Sequence, residues 1–276
     1  MHEDIKNNDD LKFQLSYLRR RLNELTPSLE VLLKRRGFTI FKKESIENLL
    51  LPEDRFIDSF YEMMKRYAFR LYLRDVIKQR EGFGLKDVTR YATSEVTAEY
   101  TEYLLQIGLL VKERKKYRLQ KEGLISFGET LEWFISEVLK REFQMESMWN
   151  VRFRGRSVGG DYDVLAKLDG GILYVEIKSS PPRQIYDRDI DAFLRRVEDL
   201  CPDMAIFLVD THLRMKDKIV PFFEDAIKES IFEGELYRIK AELFSLRDWL
   251  FILNSKPSIE GNISSVLSYY LRRRCK

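Results

Sequence analysis

Four residues in the stretch 159–180 carry side chains that could do chemistry together: Asp161, Asp163, Glu176 and Lys178. They sit on two runs of alternating, partly β-branched residues flanking Asp169-Gly170-Gly171, a turn whose last residues tolerate positive φ. Side chains alternate along a strand, so Tyr174, Glu176 and Lys178 share one face of the second run. Asp161, Asp163 and Leu165 likewise share one face of the first. Two carboxylates converging from adjacent strands suit a hard divalent cation, Mg²⁺ or Mn²⁺, which is commonly held by one or two carboxylates together with substrate phosphate. A neighbouring lysine can orient or deprotonate a metal-bound water, or meet charge developing on a phosphate. The set is suited to phosphodiester cleavage. In a chain that is 34% charged, the competing reading is a solvated, salt-bridged hairpin.

Positioning these groups requires a hairpin and a sheet around it. With Asp169-Gly170 as a two-residue turn, Leu168 pairs with Gly171, Asp163 lies opposite Glu176 and Asp161 opposite Lys178, about 4.5–5.5 Å apart between Cα atoms. With Gly170-Gly171 as the turn, Asp163 lies opposite Lys178 and Glu176 keeps the same face. Upstream, Leu131, Phe134, Ile135, Val138, Leu139 and Phe143 predict the buried face of an amphipathic helix. Trp149, Val151 and Phe153 then alternate with Asn150, Arg152 and Arg154 as in a first sheet strand. Downstream, Pro181-Pro182 stops the second hairpin strand, and Ile190, Phe193, Leu194, Val197 and Leu200 mark a helix. The short apolar run 204–209, bounded by Asp203 and Asp210, predicts a buried strand reached by that crossover helix. Beyond it, 235–244, 246–253 and 263–274 predict one strand and two helices.

These motifs resemble those of the PD-(D/E)XK nucleases, the restriction-endonuclease-like superfamily, over 124–251. Gly-Gly-Asp-Tyr-Asp-Val at 159–164 is similar to the family's Asp motif, and Val-Glu-Ile-Lys-Ser at 175–179 to its E-x-K motif. Gly128-Glu129-Thr130-Leu131-Glu132 matches the weak first motif on the preceding helix. The resemblance implies an α/β fold, a restriction-endonuclease-like mixed sheet flanked by helices. It implies Asp163 and Glu176 as metal ligands, joined by the Ile177 carbonyl, with Lys178 as the catalytic lysine and Glu132 as an assisting carboxylate. Glu129 shares a helical face with Glu132. Tyr162 stands where the family often has Pro, so both Glu129 or Glu132 and Asp161 or Asp163 stay open as the leading residues. Arg183, just after the E-x-K strand, could touch phosphate, as could Arg188.

The first half of the chain is helical by pattern. Leucines at 11, 15, 18, 22, 25, 29 and 32 follow a 4-3-4-3-4-3 spacing, a seam that could pair two copies into a homodimer. Pro27 interrupts it, with Thr26 placed to cap a new helix, so two shorter helices packing on their own chain are the alternative. Residues 38–41 predict a short strand and 53–80 one long helix. A winged helix-turn-helix is expected next: a short helix over 85–91, a third helix capped by Ser94, and wing strands at 109–111 and 117–119. Lys112, Arg114, Lys115 and Lys116 lie at the wing tip. The third helix offers Glu95, Thr97, Glu99, Thr101, Glu102 and Gln106 to solvent, an acidic face that repels phosphate, so the basic wing is the expected nucleic-acid contact. The pattern divides the chain into an N-terminal helical segment (1–52), a mostly helical winged-helix-like domain (53–122) and the nuclease-like domain (123–276).

Composition sets the outer limits. A chain of 276 residues that is 44% hydrophobic and 13% aromatic has room for two cores. Its net charge of +3 does not argue for nucleic acid, but basic clusters at 19–21, 34–36, 112–118 and 272–274 do so locally. No apolar run is long enough to span a membrane and 1–10 is unlike a signal peptide, which predicts a cytoplasmic protein. Cys201, Cys275, His2 and His212 make neither a disulfide framework nor a zinc site. Phosphate-binding loop and dinucleotide motifs are absent, so no nucleotide cofactor is expected. The expected function is a Mg²⁺- or Mn²⁺-dependent endonuclease acting on DNA; the alternative is a catalytically inactive nucleic-acid-binding or regulatory protein on the same scaffold.

Overall fold

The acidic hairpin lies in the middle of an eight-stranded sheet. In the computed structural model, residues 11–274 are described, apart from 12, 13, 19, 23, 24, 80, 81 and 89. The expectations for 1–10, His2 and Cys275 fall outside the described residues. Strands β4 (Ser147–Phe153), β5 (Tyr162–Leu168) and β6 (Gly171–Lys178) run antiparallel. Helix α6 (Asp187–Leu200) then crosses over to β7 (Met204–Val209), which is parallel to β6. This is the helix, three strands, helix, strand order that the periodicity predicts, with α5 (Gly128–Phe143) as its first helix.

The sheet continues past β7 in a way the sequence did not suggest. β10 (Leu250–Asn254) joins β7 in parallel, and β9 (Leu243–Leu246) and β8 (Leu236–Lys240) extend it antiparallel. β1 (Ile40–Lys42) closes the other edge against β4, giving the order β1-β4-β5-β6-β7-β10-β9-β8. Residues 246–253, expected to be helical, are thus mostly strand: a short, wholly apolar run reads alike as buried strand or buried helix. One helix, α8 (Ile259–Arg274), follows instead of two. Helix α7 (Ile219–Lys228) was not anticipated.

Alternation along the strands feeds two cores. Val164, Val175, Ile206 and Phe251 pack on one face with α5 and α8, while Leu165, Tyr174, Phe207 and Ile252 pack on the other with α6, α7 and α1 (Leu29–Arg35). On the first face the core runs without interruption into α2 (Ile57–Met64), α3 (Tyr67–Lys78) and α4 (Ser94–Gln106), joining Phe60, Phe69 and Tyr100 to Phe134 and Leu131.

Several local expectations are corrected there. The single helix over 53–80 is broken between α2 and α3 at Arg66, whose backbone is extended, and the Arg70 guanidinium satisfies the carbonyls of Met64 (2.6 Å) and Lys65 (3.0 Å) that a continuous helix would use internally. The second helix over 85–91 is only a 3₁₀ turn, Leu85–Val88. The caps are Ser28 for α1 and Thr93 for α4, one or two residues from the expected Thr26 and Ser94. The ribbon of β2 (Leu110–Glu113) and β3 (Lys116–Leu119) carries Lys112, Arg114, Lys115 and Lys116 exposed. Thr97 and Thr101, expected at the surface of α4, are buried: the Thr101 hydroxyl donates to the Thr97 carbonyl at 2.8 Å and meets the Tyr72 hydroxyl at 2.7 Å. The leucine seam divides, with Leu29 in the core, Leu32 partly buried against it, and Leu11, Leu15, Leu18, Leu22 and Leu25 exposed. No helix among the described residues is long and apolar enough to cross a membrane.

Candidate functional site

The hairpin takes the first of its two registers, with Leu168 paired to Gly171 and Val164 to Val175. Asp169, not a glycine, adopts the left-handed φ of +52° at the turn. Gly171 is needed for space: a Cβ there would stand 2.4 Å from the Asp203 carboxyl carbon, and that carboxylate accepts the Ile172 N–H at 2.8 Å. One residue past the Val164–Val175 pair, Asp163 comes opposite Glu176, and its carboxylate accepts the Ile177 N–H at 2.7 Å. Asp161 turns away to the Arg152 guanidinium at 2.7 Å. The geometry therefore separates the two aspartates: Asp163 faces the cluster, Asp161 its rim.

Glu176 is only 2% exposed, and its charge is compensated by three groups. Lys178 Nζ donates to it at 2.9 Å, Arg196 Nη1 reaches both its oxygens at 3.1 and 3.2 Å, and the Tyr174 hydroxyl donates to Oε2. Burial draws the Lys178 amine down, but Glu176 and Asp163 outweigh it and hold the amine above the usual lysine range. Lys178 is thus a cation at neutral pH. It is also half-covered: its amine lies 3.5 Å from Asp189 on α6, so that helix roofs this face of the strand.

The other carboxylates are less well matched. Burial, then the Glu176 charge, pushes the Asp163 carboxyl well above its ordinary value despite the Ile177 N–H, Lys178 and Arg196. Burial, then Asp163 and Glu129, does the same to Glu132, offset in part by the Asn150 side chain. Glu132 Oε2 is buried with no hydrogen-bond partner. Glu129 is turned toward Asn48, whose amide donates to its Oε1 at 3.0 Å. No group of three His, Cys, Asp or Glu among the described residues is placed to hold a metal ion. Even so, a partnerless buried Glu132 oxygen beside a raised Asp163 carboxyl is a donor set that fits a hard cation, which needs only one or two carboxylates beside water and phosphate. Glu176 fits less well, since its oxygens are already engaged.

Three contributors were missed from sequence. Asn150 lies opposite Asp163 in the β4–β5 register, with a left-handed φ of +51° inside its strand; a lone Asn among alternating apolar residues was the only signal. Arg196 sits beside the apolar stripe of α6, one turn after Phe193, and could have been found as a cation at the margin of a buried face. Asp189 is the third, bridging Lys178 to the backbone of Tyr186. Of the remaining expected site residues, Arg183 is exposed on the turn after β6, and the four basic residues of the β2–β3 ribbon lie on a separate two-stranded sheet.

A second polar cluster braces the end of β6. Asp210, fully buried after β7, is bound by Arg70 at 2.8 Å and Arg74 at 3.2 Å, and Arg74 also donates to the Ser179 carbonyl. The Asp210 N–H donates to the Lys178 carbonyl at 2.9 Å. Burial would raise the Asp210 carboxyl, but Arg70 and Arg74 hold it below the usual carboxylate range. Lys178 is therefore fixed from behind by a helix of the N-terminal half.

The whole arrangement lies at the carboxyl ends of the parallel strands β6 and β7, where open α/β sheets bind ligands. The fold is similar to that of protein VC1899 from Vibrio cholerae, with a TM-score of 0.52 and 13% identity, over 90% of this chain and 61% of that one. Can2 from Sulfobacillus thermosulfidooxidans, solved in complex with cyclic tetra-adenylate, superposes with a TM-score of 0.48 and 12% identity, over 87% of this chain and 60% of that one. The second superposition is too loose to carry an inference. The chain thus spans less than two thirds of either protein. No family model matches it, and no curated protein does.

Proposed function

We propose that the chain is a divalent-metal-dependent nuclease of the PD-(D/E)XK kind, an endonuclease hydrolysing phosphodiester bonds in DNA. The observation that carries this reading is Asp163 set against Glu176 and Lys178 at the carboxyl end of the central strands, with the partnerless Glu132 oxygen alongside. In this reading Asp163, Glu176 and the Ile177 carbonyl hold Mg²⁺ or Mn²⁺, and Glu132 assists. When bound, the ion supplies Lewis acidity toward the scissile phosphate. Lys178, kept protonated by its acidic neighbours, meets negative charge developing on that phosphate. Arg196 and Tyr174 hold the Glu176 carboxylate in place. The 53–122 segment acts as a winged helix whose Lys112, Arg114, Lys115 and Lys116, with Arg183, contact the phosphate backbone.

One observation favours a second reading, a catalytically silent binding or regulatory protein: the Glu176 carboxylate is already compensated by Arg196, Lys178 and Tyr174 without any ion. Incubating the purified chain with Mn²⁺ and labelled duplex, branched and single-stranded DNA and RNA decides between them. Cleavage is expected, abolished by excess chelator and reduced about a hundred-fold or more in Lys178→Ala. Undiminished cleavage by Lys178→Ala, freed of contaminating nuclease, would refute the assignment. Absence of both cleavage and carboxylate-dependent Mn²⁺ binding in calorimetry would favour the second reading.

A further inference from the structure

The loop leaving the Lys178 end of β6 carries an aromatic ring that neither core uses. Pro181-Pro182 stops the strand, a 3₁₀ turn follows at Pro182–Gln184, and Ile185 anchors the loop in the core. Tyr186 is then left 51% exposed at the start of α6. Its backbone is held firmly: the Tyr186 N–H donates to Asp189 at 2.9 Å and the Asp189 N–H donates back to the Tyr186 carbonyl at 2.9 Å. The other oxygen of the same Asp189 carboxylate lies 3.5 Å from Lys178 Nζ. The ring is therefore mounted one carboxylate away from the lysine of the site.

Cations surround this ring. The Arg188 guanidinium lies 5.3 Å from its centroid and Lys218 Nζ 5.4 Å. Lys218 also donates to the Arg183 carbonyl at 3.0 Å, binding the loop to the start of α7. Arg183, Arg214 and Lys216 are exposed on the two loops that leave β6 and β7, and Arg188 is exposed in the first turn of α6. A fixed, half-exposed ring with cations at its margin is how sequence-tolerant single-strand sites are built: the ring stacks a base and the cations take the flanking phosphates. A base paired inside a duplex hides its face, so only an unpaired nucleotide can use such a ring.

We propose that Tyr186 is a base-stacking platform beside the scissile-phosphate site, so that the preferred substrate is a nucleic-acid strand with an unpaired base next to the bond that is cut. This rests on the phosphodiester reading above for the position of the cut, though not for the stacking itself. Arg188 and Lys218 hold the phosphates on either side of the stacked nucleotide, and the exposed Arg188 yields its place against the ring when a base arrives.

The test is fluorescence anisotropy of the full chain, in chelator, with a short labelled single-stranded oligodeoxynucleotide and the same oligonucleotide annealed to its complement. Tyr186→Ala should weaken single-strand binding about ten-fold and leave duplex binding within two-fold, whereas Tyr186→Phe, which keeps the ring, should bind like the wild type. Equal losses on single strand and duplex, equal losses in both variants, or no single-strand binding by the wild type would overturn the proposal. Lys178→Ala separates the two ideas. If wild type and Lys178→Ala bind single strands with the same dependence on Tyr186 but the wild type cleaves nothing with Mn²⁺, stacking stands and the nuclease reading fails. Cleavage with Tyr186-independent binding gives the reverse.

Discussion

At the scale of single residues, the candidate site is a compromise between charges that attract and charges that do not. Burial and the Glu176 charge push the Asp163 carboxyl above its ordinary value, so its charged form destabilises the metal-free fold. Asp163→Asn keeps an oxygen for the Ile177 N–H and removes that repulsion. It should raise the melting temperature in chelator while abolishing cleavage; a lower melting temperature would show that Asp163 is well compensated. Arg196→Gln should do the opposite. It leaves Glu176 buried with only Lys178 and Tyr174, and breaking such a pair costs about 3–5 kcal/mol, read as a fall in urea midpoint. Asp163, Glu176 and Lys178 were legible in the sequence because a two-residue turn and strict alternation fix which side chains meet. Arg196 and Asn150 were not, because their contacts depend on how α6 and β4 pack, and no local periodicity encodes that.

Elements position these residues through a few unusual contacts. Gly160, just before β5, has φ +95°, and a Cβ there would stand 2.5 Å from an Arg196 guanidinium nitrogen. Gly160→Ala therefore combines backbone strain with displacement of Arg196, and should lower cleavage without lowering metal affinity, measured by titration with Mn²⁺. The Arg70–Asp210–Arg74 cluster works on a larger segment. Because the folded Asp210 carboxyl is depressed, the unfolded chain binds its proton more readily. The stabilisation is therefore complete above the unfolded carboxylate range, about pH 3.9, and is lost as pH falls through the lower folded value. Asp210→Asn should lower the melting temperature at neutral pH and flatten its fall in acid; parallel acid limbs for variant and wild type would contradict this. The same cluster sits where two helices occur in place of the one expected. No Gly or Pro marks the break at Lys65-Arg66; a distant carboxylate draws Arg70 to where it can cap the carbonyls of the preceding turn. The reading of 246–253 as helix failed for the complementary reason, since a strand buried on both faces shows no alternation.

At the scale of the whole molecule, charge distribution decides where nucleic acid would lie. Glu95, Glu99 and Glu102 are exposed on α4, so α4 is unwelcoming to phosphate and the β2–β3 ribbon is the basic feature of that half. Replacing Lys112, Arg114, Lys115 and Lys116 with Ala should weaken binding on all sequences alike. Each lost phosphate contact should reduce the slope of log K against log salt by roughly 0.9 on duplex DNA. Unchanged binding with altered base preference would mean that α4 reads sequence. Thr97 and Thr101 are buried, so Thr101→Val is expected to cost about 1 kcal/mol of stability and to leave binding untouched.

The uninterrupted core that joins Phe60, Phe69 and Tyr100 to Phe134 has a consequence for anyone who would dissect this chain. Sequence patterning suggests cutting at residue 123, but the cut would bare Leu131, Trp133 and Phe134 and leave Asp210 buried without its arginines. Neither fragment would keep a closed core. A calorimetric scan of the intact chain should show one heat-absorption peak spanning both halves, and the separately expressed halves should aggregate, so a null assay on an isolated C-terminal fragment would report on missing neighbours before it reported on chemistry.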